Sequence, residues 1–558
     1  MPVPARRFVP ETFIAAFVAA AAAVMAAGYL LDAVGLPIHP AALGVAALAA
    51  SVTALLAFRE RAPAPAGSLP LFACLVCAAL GYLLWLASPS LLPVTIGPDV
   101  VHHLQLIHVI HRTHQLVHDP ALGPYLLEMV NYTPGSHIAA AVAADWVRVD
   151  PLRVLLPLTS VFVAVKAGII YVLALRLVPE KPGASCQALA APVLLLVPSA
   201  YVLGSFFHFF YYAQVLSETF AMAMVVAGLG WARTGARRYL WLAAAGGIGV
   251  FLSWPIWILP AGAAVLTAIV AGGPARPEGR AHGWIGAKEW IVSGAIVVLP
   301  VALIGLLHAA THPGGAAIIG SAGAVTRPSA ETLAPAFVAL GVMGAILALR
   351  SAPARPVLVL FAAAILQALA LAVFDARAGS RSFYLPFKMV YLAVLPCALL
   401  GALALARAGA AMASRFPRAR GLAAAAPLLI AALLASGRMP LKRQRSPITE
   451  SALAAGLWAR GALPPGCIDY FSAHWLTGYW LHLDVLGNPR LSDRMRAETF
   501  EFSDTVGKWI QGKGLPYAIV EDLAAIPRDA RGDMLPVREF GPTAVVKNAR
   551  PGAACRDN

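Results

Sequence analysis

Seven of the fourteen histidines, His102, His103, His108, His111, His114, His118 and His137, fall in one short stretch of the chain. Asp99 stands just ahead of them, and Asp119, Glu128 and Tyr132 lie among them. Imidazoles and carboxylates at this density can move a proton on or off a substrate hydroxyl, or hold a divalent cation such as Mg, Mn or Ca. Asp99 is the most pointed of the group. It follows a Gly-Pro turn, and His102 and His103 come one helical turn later. A carboxylate there can deprotonate or orient an acceptor hydroxyl, or bind the cation, while the histidines steady a leaving phosphate. The same Asp can also simply cap a helix beginning at Val100, and the two roles are compatible.

Residues 100–118 can be drawn as a helix. His111, His114 and His118 then share a face with His108 beside them, and Leu104, Leu106, Ile107, Val109, Ile110 and Leu116 are apolar. This pattern predicts an amphipathic helix lying in a membrane interface. Histidines at helical spacing also suit zinc, but a zinc site ordinarily adds Cys, Asp or Glu in defined geometry, so the interfacial reading is preferred.

The elements that must position these groups are membrane helices. Of the 558 residues 59% are hydrophobic and 12% are charged, about half the charged fraction of a soluble protein. Apolar runs near the length needed to cross a bilayer predict spans at 13–31, 41–58, 69–90, 152–177, 189–206, 212–231, 239–254, 256–272, 288–308, 332–349, 356–374, 386–407 and 420–437. The first, behind the basic N-terminus, reads as a retained signal anchor. With Arg6 and Arg7 inside, alternation places the Arg-rich loops near 59–61, 176–181, 233–238, 276–288, 350–355 and 407–420 inside as well. Residues 137–147 decide the parity. They are apolar but too short to cross, so they read as an interfacial or half-inserted helix, and the histidine-rich loop lies outside.

The formal charge of +15 does not indicate a nucleic-acid partner, because the basic residues sit in short loops between spans and form no compact soluble face. Cys74 and Cys77 lie inside an apolar run and read as helix-packing residues. Beyond a basic linker at 437–445 the composition turns soluble. Strand-like runs at 466–471, 516–520 and 543–547, with helical stretches at 448–460 and 494–512, predict a small α/β domain. Cys467 and Cys555 both fall there and can pair if the domain is extracytoplasmic.

Asp-x-x-His-His after a span, a loop, then Tyr-Thr-Pro-Gly-Ser-His opening an Ala-rich helix, then Asp-Pro-Leu-Arg before the next span, resembles the GT-C superfamily. These are integral-membrane glycosyltransferases that use polyprenyl-phosphate sugars. The resemblance is best over residues 69–180. It implies a mainly α, polytopic bundle of about 13 spans at 1–437, with juxtamembrane helices in a catalytic loop at 94–151 and a periplasmic α/β domain at 446–558. It also implies Asp99 as base or metal ligand, Tyr132 to His137 as the closing turn, a basic residue near the last spans for the donor phosphate, and inversion at the sugar carbon.

On the residues, the loop after the eleventh span carries Arg377, Arg381 and Lys388 on a face otherwise poor in positive charge, where a lipid-linked phosphate would need partners. Snorkelling to headgroups is the plainer use of Arg377. Glu218, beside Gln214, is an ionisable group just inside a span, either functional or a buried partner for Arg381. The aromatic run at 206–212 reads as an interfacial belt. The combined expectation is a transferase in a bacterial inner (cytoplasmic) membrane, N-terminus inside. Asp99, assisted by His102 and His103, would act on a hydroxyl of a glycan, lipid or protein acceptor, and Glu128, Tyr132, His137, Glu218, Arg381 and Lys388 would line the substrate site. A transporter or flippase of a lipid-linked or anionic solute is the alternative. It predicts charge at the bilayer midplane and internal symmetry. A non-catalytic assembly protein would make no demand on Asp99.

Overall fold

The computed structural model describes residues 9–59, 67–95, 97, 99–179, 183–271, 287–312, 314, 323–379, 382–489 and 502–555. Helices α1 (Pro10–Ala33), α2 (Pro40–Ala57) and α3 (Ser68–Ala87) precede the histidine-rich stretch, which holds α4 (Asp99–Thr113) and α5 (Gly135–Val147). Then come α6 (Pro151–Leu177), α7 (Ala184–Leu194), α8 (Ser199–Phe207), α9 (Tyr212–Thr234), α10 (Arg238–Ser253), α11 (Ile258–Ala271) and α12 (Ala287–Thr311). The bundle closes with α13 (Pro335–Leu349), α14 (Arg355–Arg377), α15 (Tyr384–Arg415) and α16 (Arg420–Ala435). Proline opens α1, α2, α6 and α13, where its missing N–H would have no helical partner in any case.

Each apolar run expected to span falls on a helix. Among the described residues eight helices are long and apolar enough to cross a bilayer, and α7 with α8 passes the same test as a pair bent by 65°. The bend follows from Pro198, which cannot donate to the Leu194 carbonyl and so interrupts the helix. α10, α11, α13 and α16 are shorter apolar helices. The chain is a mainly α, multi-pass membrane protein. In α9 and α15 the apolar stretch is 94% buried, against 11% in α2 and 17% in α3, so the first two form the centre and the last two face lipid. A Cβ on Gly344 would run into the Leu400 carbonyl, so α13 approaches α15 as closely as it does only because the residue is glycine. Cys74 and Cys77 are exposed on α3, not packed between helices as their position in an apolar run suggested.

The two ends of the bundle differ chemically. At one, Arg176 binds Glu11 at 2.8 Å and Arg238 donates to the Ala57 carbonyl at 2.9 Å, bringing together loops expected inside. At the other, the segments expected outside converge on α4. The apolar side of that helix packs on protein. Val100, Val101, His103 to Ile110 are all buried, between α5 on one side and the C-terminal domain on the other. Its apolar residues meet protein, which a pattern of hydrophobicity cannot distinguish from lipid. α5 has 13 residues, about 20 Å of helix, and stays too short to span.

The C-terminal domain contains α17 (Glu450–Ala462), α18 (Trp475–Trp480) and α19 (Phe502–Ile510), with strands β1 (Ile468–Phe471), β2 (Tyr517–Val520), β3 (Met534–Phe540) and β4 (Thr543–Asn548). The sheet order is β1-β2-β4-β3, with β1 and β2 parallel and the other pairs antiparallel. Sequence patterning found β1, β2 and β4 but not β3, an edge strand with Pro536, Arg538 and Glu539 on exposed backbone, where nothing selects apolar residues. Cys467 and Cys555 form a disulfide that ties the start of β1 to the tail of the chain.

Candidate active site

Asp99 opens α4 and its carboxylate lies 3.6 Å from Nε2 of His103, one turn on. The other nitrogen of His103 lies 2.9 Å from Nε2 of His137, the third residue of α5. His103 and His137 are buried, whereas the Asp99 side chain remains 39% exposed despite being deeply surrounded by protein. The three form a line from an accessible carboxylate into the interior. Burial by itself would raise the Asp99 carboxyl, but the His103 hydrogen bond and the charges of His103, Lys388 and His102 outweigh it and hold the group below its ordinary value. Burial, with the His103 charge added, keeps His137 well below the usual imidazole range, so it is neutral at neutral pH.

The Tyr132–His137 turn builds the wall behind this line. Thr133 Oγ1 donates to the Ser253 carbonyl at 3.0 Å and Tyr212 donates to the Ser136 carbonyl at 2.7 Å. A Cβ on Gly135 would come within 2.6 Å of the Leu252 side chain, so the turn seats only with glycine there. The Tyr132 ring stands edge-on to His103 and His137, at 5.3 and 5.5 Å, and tilts against Trp254 at 5.8 Å. Burial and then the negative charge of Asp99 hold the Tyr132 phenol far above its ordinary value. At neutral pH it is a neutral phenol whose ring packs on the two histidines.

Lys388, near the start of α15, is buried with its ammonium over the Tyr211 ring and 5.0 Å from the Tyr384 ring centre. It lies within electrostatic reach of Asp99 and of Glu218. Glu218 pairs directly with Lys166 of α6, a residue that spacing alone did not single out, and accepts from Gln214 at 3.4 Å. Arg381 lies outside the described residues, and Arg377 is exposed at the end of α14. Among residues 206–212, Phe206, Phe207, Phe210, Tyr211 and Tyr212 are buried, so the aromatic run forms an inner wall of the site and not a lipid-facing belt.

His102 has both nitrogens engaged: Nδ1 at 2.7 Å from Glu128 and Nε2 at 3.0 Å from the hydroxyl of Tyr479 on α18. An imidazole held at both ends is a bridge, and it has no free nitrogen with which to serve a substrate. His108 is clasped by Asp150 at 3.3 Å, the residue that caps α6, and by Asp484 at 3.1 Å, a charge contact out of line for a hydrogen bond. His111 meets Asp145 at 2.9 Å and His118 meets Asp32 at 3.0 Å. Asp119 caps a short turn by accepting from the Ala121 N–H at 2.8 Å. His114 shares Asp145 at 3.7 Å, so the histidines are distributed over several carboxylates and do not converge on one point.

Among the described residues no group of three or more His, Cys, Asp or Glu side chains is arranged to hold a metal ion. The neighbours of Asp99 are an imidazole and an ammonium, which neutralise a carboxylate already and do not complete a cation shell. The residues as placed do not fit a divalent cation.

The fold and site define a multi-pass membrane protein with a cluster of carboxylate, imidazole and ammonium groups at one end of its bundle, roofed by an α/β domain. No family model matches the chain, and no curated protein matches it. Among solved structures it is similar to ArnT from Cupriavidus metallidurans bound to undecaprenyl phosphate, at 14% identity and a TM-score of 0.45, over 88% of this chain and all of that one. It is also similar to the Archaeoglobus fulgidus oligosaccharyltransferase in complex with Zn and sulfate, at 16% identity and a TM-score of 0.42, over 80% of this chain and 68% of that one. A further structure from that organism, AglB with an inhibitory peptide and a dolichol-phosphate, matches at 15% identity and a TM-score of 0.43, over 81% and 69%.

Proposed function

We propose that the chain is a membrane glycosyltransferase of the GT-C kind. It moves a sugar from a polyprenyl phosphate to a hydroxyl of a glycan, lipid or protein at the outer face of a bacterial inner membrane. The observation that carries this reading is an accessible carboxylate, Asp99, within electrostatic reach of a buried ammonium, Lys388, where the spans end. A buried cation over aromatic rings is costly to keep without an anion, and a lipid-linked phosphate is the anion that a bilayer edge can deliver.

The acceptor oxygen bonds to the anomeric carbon as the bond from that carbon to the phosphate oxygen breaks. The electron pair leaves with polyprenyl phosphate, and attack from the opposite face inverts the carbon. Asp99, ionised at neutral pH, accepts a hydrogen bond from the hydroxyl, orients it and takes its proton as the new bond forms. His103, backed by His137, holds that carboxylate in place. Lys388 and Arg381 receive the phosphate, with Glu218 behind Lys388. Glu128, Tyr132 and His137 frame the acceptor side. Residues 1–437 form the membrane domain, 94–151 its catalytic loop, and 446–558 a domain outside the cell membrane. The disulfide supports an oxidising compartment for that domain, and the Arg-rich opposite end supports a cytoplasmic N-terminus.

The test is release of polyprenyl phosphate from a panel of polyprenyl-phosphate sugars in nanodiscs, comparing wild type with Asp99→Asn. Release that depends on Asp99 is expected. The buried Lys166–Glu218 pair is what a transporter would use. No release from any donor, even with envelope extracts as acceptor, would move the assignment there.

A further inference from the structure

The C-terminal domain does more than stand beside the catalytic loop, because one short segment of it meets α4 twice. Tyr479 reaches His102 at 3.0 Å, and five residues later Asp484 reaches His108 at 3.1 Å. Between them the Leu483 carbonyl accepts from Tyr125 at 3.1 Å, and Tyr125 in turn sits against α4 through Gln105, which donates to its carbonyl at 2.9 Å. The segment Leu481–Val485 is a single π-turn, closed by Leu486 N–H donating to the Leu481 carbonyl at 2.8 Å. One extra residue in a helical turn re-aims the groups around it, and such turns gather at functional sites. Here the turn follows α18 directly, so both Tyr479 and Asp484 face the same helix.

The first contact is anchored at both ends of the ring. An ionised Glu128 only accepts, so His102 Nδ1 donates to it, and Nε2 and the Tyr479 hydroxyl share the second hydrogen bond. The imidazole carrying this bridge is in the first turn of α4, three residues from Asp99 and adjacent to His103. Tyr479 is fully buried and cannot meet a substrate. We propose that Tyr479 is a positioning residue of the active site: through the His102–Glu128 bridge, the C-terminal domain holds the first turn of α4 so that Asp99 faces the acceptor. This rests on the transferase reading for its kinetic consequences, but the mechanical link does not.

Two measurements on the full chain in nanodiscs test it. Tyr479→Phe keeps the ring, which packs on Trp475, and removes only the hydroxyl. Hydrogen exchange of residues 99–113 should quicken about tenfold in this variant, the worth of one hydrogen bond, while exchange in β2 and β4 stays as in wild type. The rate constant kcat for polyprenyl phosphate release should fall by about the same factor, with the donor KM unchanged. Added to His102→Ala, the Tyr479 change should cost nothing further, because the bridge is already gone. An active Tyr479→Phe protein with wild-type kcat and wild-type exchange on α4, or losses that simply multiply in the double variant, would overturn the proposal. If wild type releases nothing, the transferase reading fails and the exchange experiment still decides the link.

Discussion

Two histidine–carboxylate clusters sit on the same fifteen-residue helix, and they have opposite fates. Near its start, Asp99 and His103 meet at 3.6 Å with the carboxylate 39% exposed. Near its middle, His108 lies between Asp150 and Asp484, and Asp484 is wholly buried. Residue types are the same in both, an imidazole of α4 against carboxylate. Access separates them: the first keeps an oxygen that a substrate can reach, and the second spends its charge inside the protein. The histidine at the middle acts as a cation that joins three parts of the chain, α4, the cap of α6 and the C-terminal domain. A carboxylate beside a histidine thus becomes chemistry or mortar according to what covers it.

The largest effect expected from breaking the comparison is at Asp99. Asp99→Asn should lower polyprenyl phosphate release by about 10²–10⁴-fold with the thermal unfolding midpoint unchanged, measured on the same nanodisc preparation. His108→Leu should do the reverse. Leaving Asp484 and Asp150 without their cation should cost about 3–5 kcal/mol in unfolding stability, while the rate per folded molecule changes far less.

The pH response of the second cluster sharpens the contrast. Burial opposes the His108 charge, but Asp484 and Asp150 win and raise it to about 9. Its contribution to docking is therefore present below its ordinary value and lost as pH rises through about 9. Burial raises Asp484 to about 6, so it too favours the docked state at lower pH. Asp150 runs the other way: burial is outweighed by the His108 bond, the group is held at about 2, and its contribution is lost only as pH falls toward that value. Arg112, Arg460 and Tyr125 are the other ionisable groups facing the cluster. Protection of the 479–485 segment from hydrogen exchange should fall as pH climbs through about 9. In Asp484→Asn the loss should begin at lower pH, because the main source of the His108 shift is gone.

Smaller effects follow at the edges of the interface. Replacing Cys467 and Cys555 by serine should destabilise the C-terminal domain by about 2–4 kcal/mol, read as a separate early transition in calorimetry. Arg153 and Glu450 pair across the same boundary at 2.5 Å, but their side chains are 40% and 45% exposed. Arg153→Gln should therefore shift stability by under about 1 kcal/mol, and a larger loss would show that docking depends on the rim as well as on the buried clasp.

Much of this organisation was legible before any coordinates. The apolar runs and the short segment at 137–147 are helices in the structure, as their composition predicts, since 20-residue hydrophobicity is a local property. Asp99, His103, Tyr132 and His137 lie together in the structure, and a single loop carries all four in the sequence. Lys388, far along the chain, was reached through the rule that positive charge on the outer face needs a reason. That the apolar residues of α4 pack on protein is not legible in the pattern, because protein and lipid present the same apolar surface to a sequence. His102 was assigned to chemistry and is a bridge, since its partner Tyr479 is 377 residues away. Tyr479 and Asp484 carry no local signal of their own, one in an aromatic-rich helix and one in an apolar turn, whereas Lys166 is a charge inside a span, the same signal that marks Glu218.

The amino-acid sequence by itself determined that this chain lives in a membrane, which loops share a face, and which helix opens with an acid followed by histidines. Each depends on composition and on periodicity over a few turns, where neighbours in sequence are neighbours in space. Only the tertiary structure decided which carboxylate each histidine meets, which of those carboxylates stays open, and that the C-terminal domain grips α4. Those outcomes depend on contacts between residues far apart in the chain, where burial sets both the charge a group can carry and whether anything can reach it.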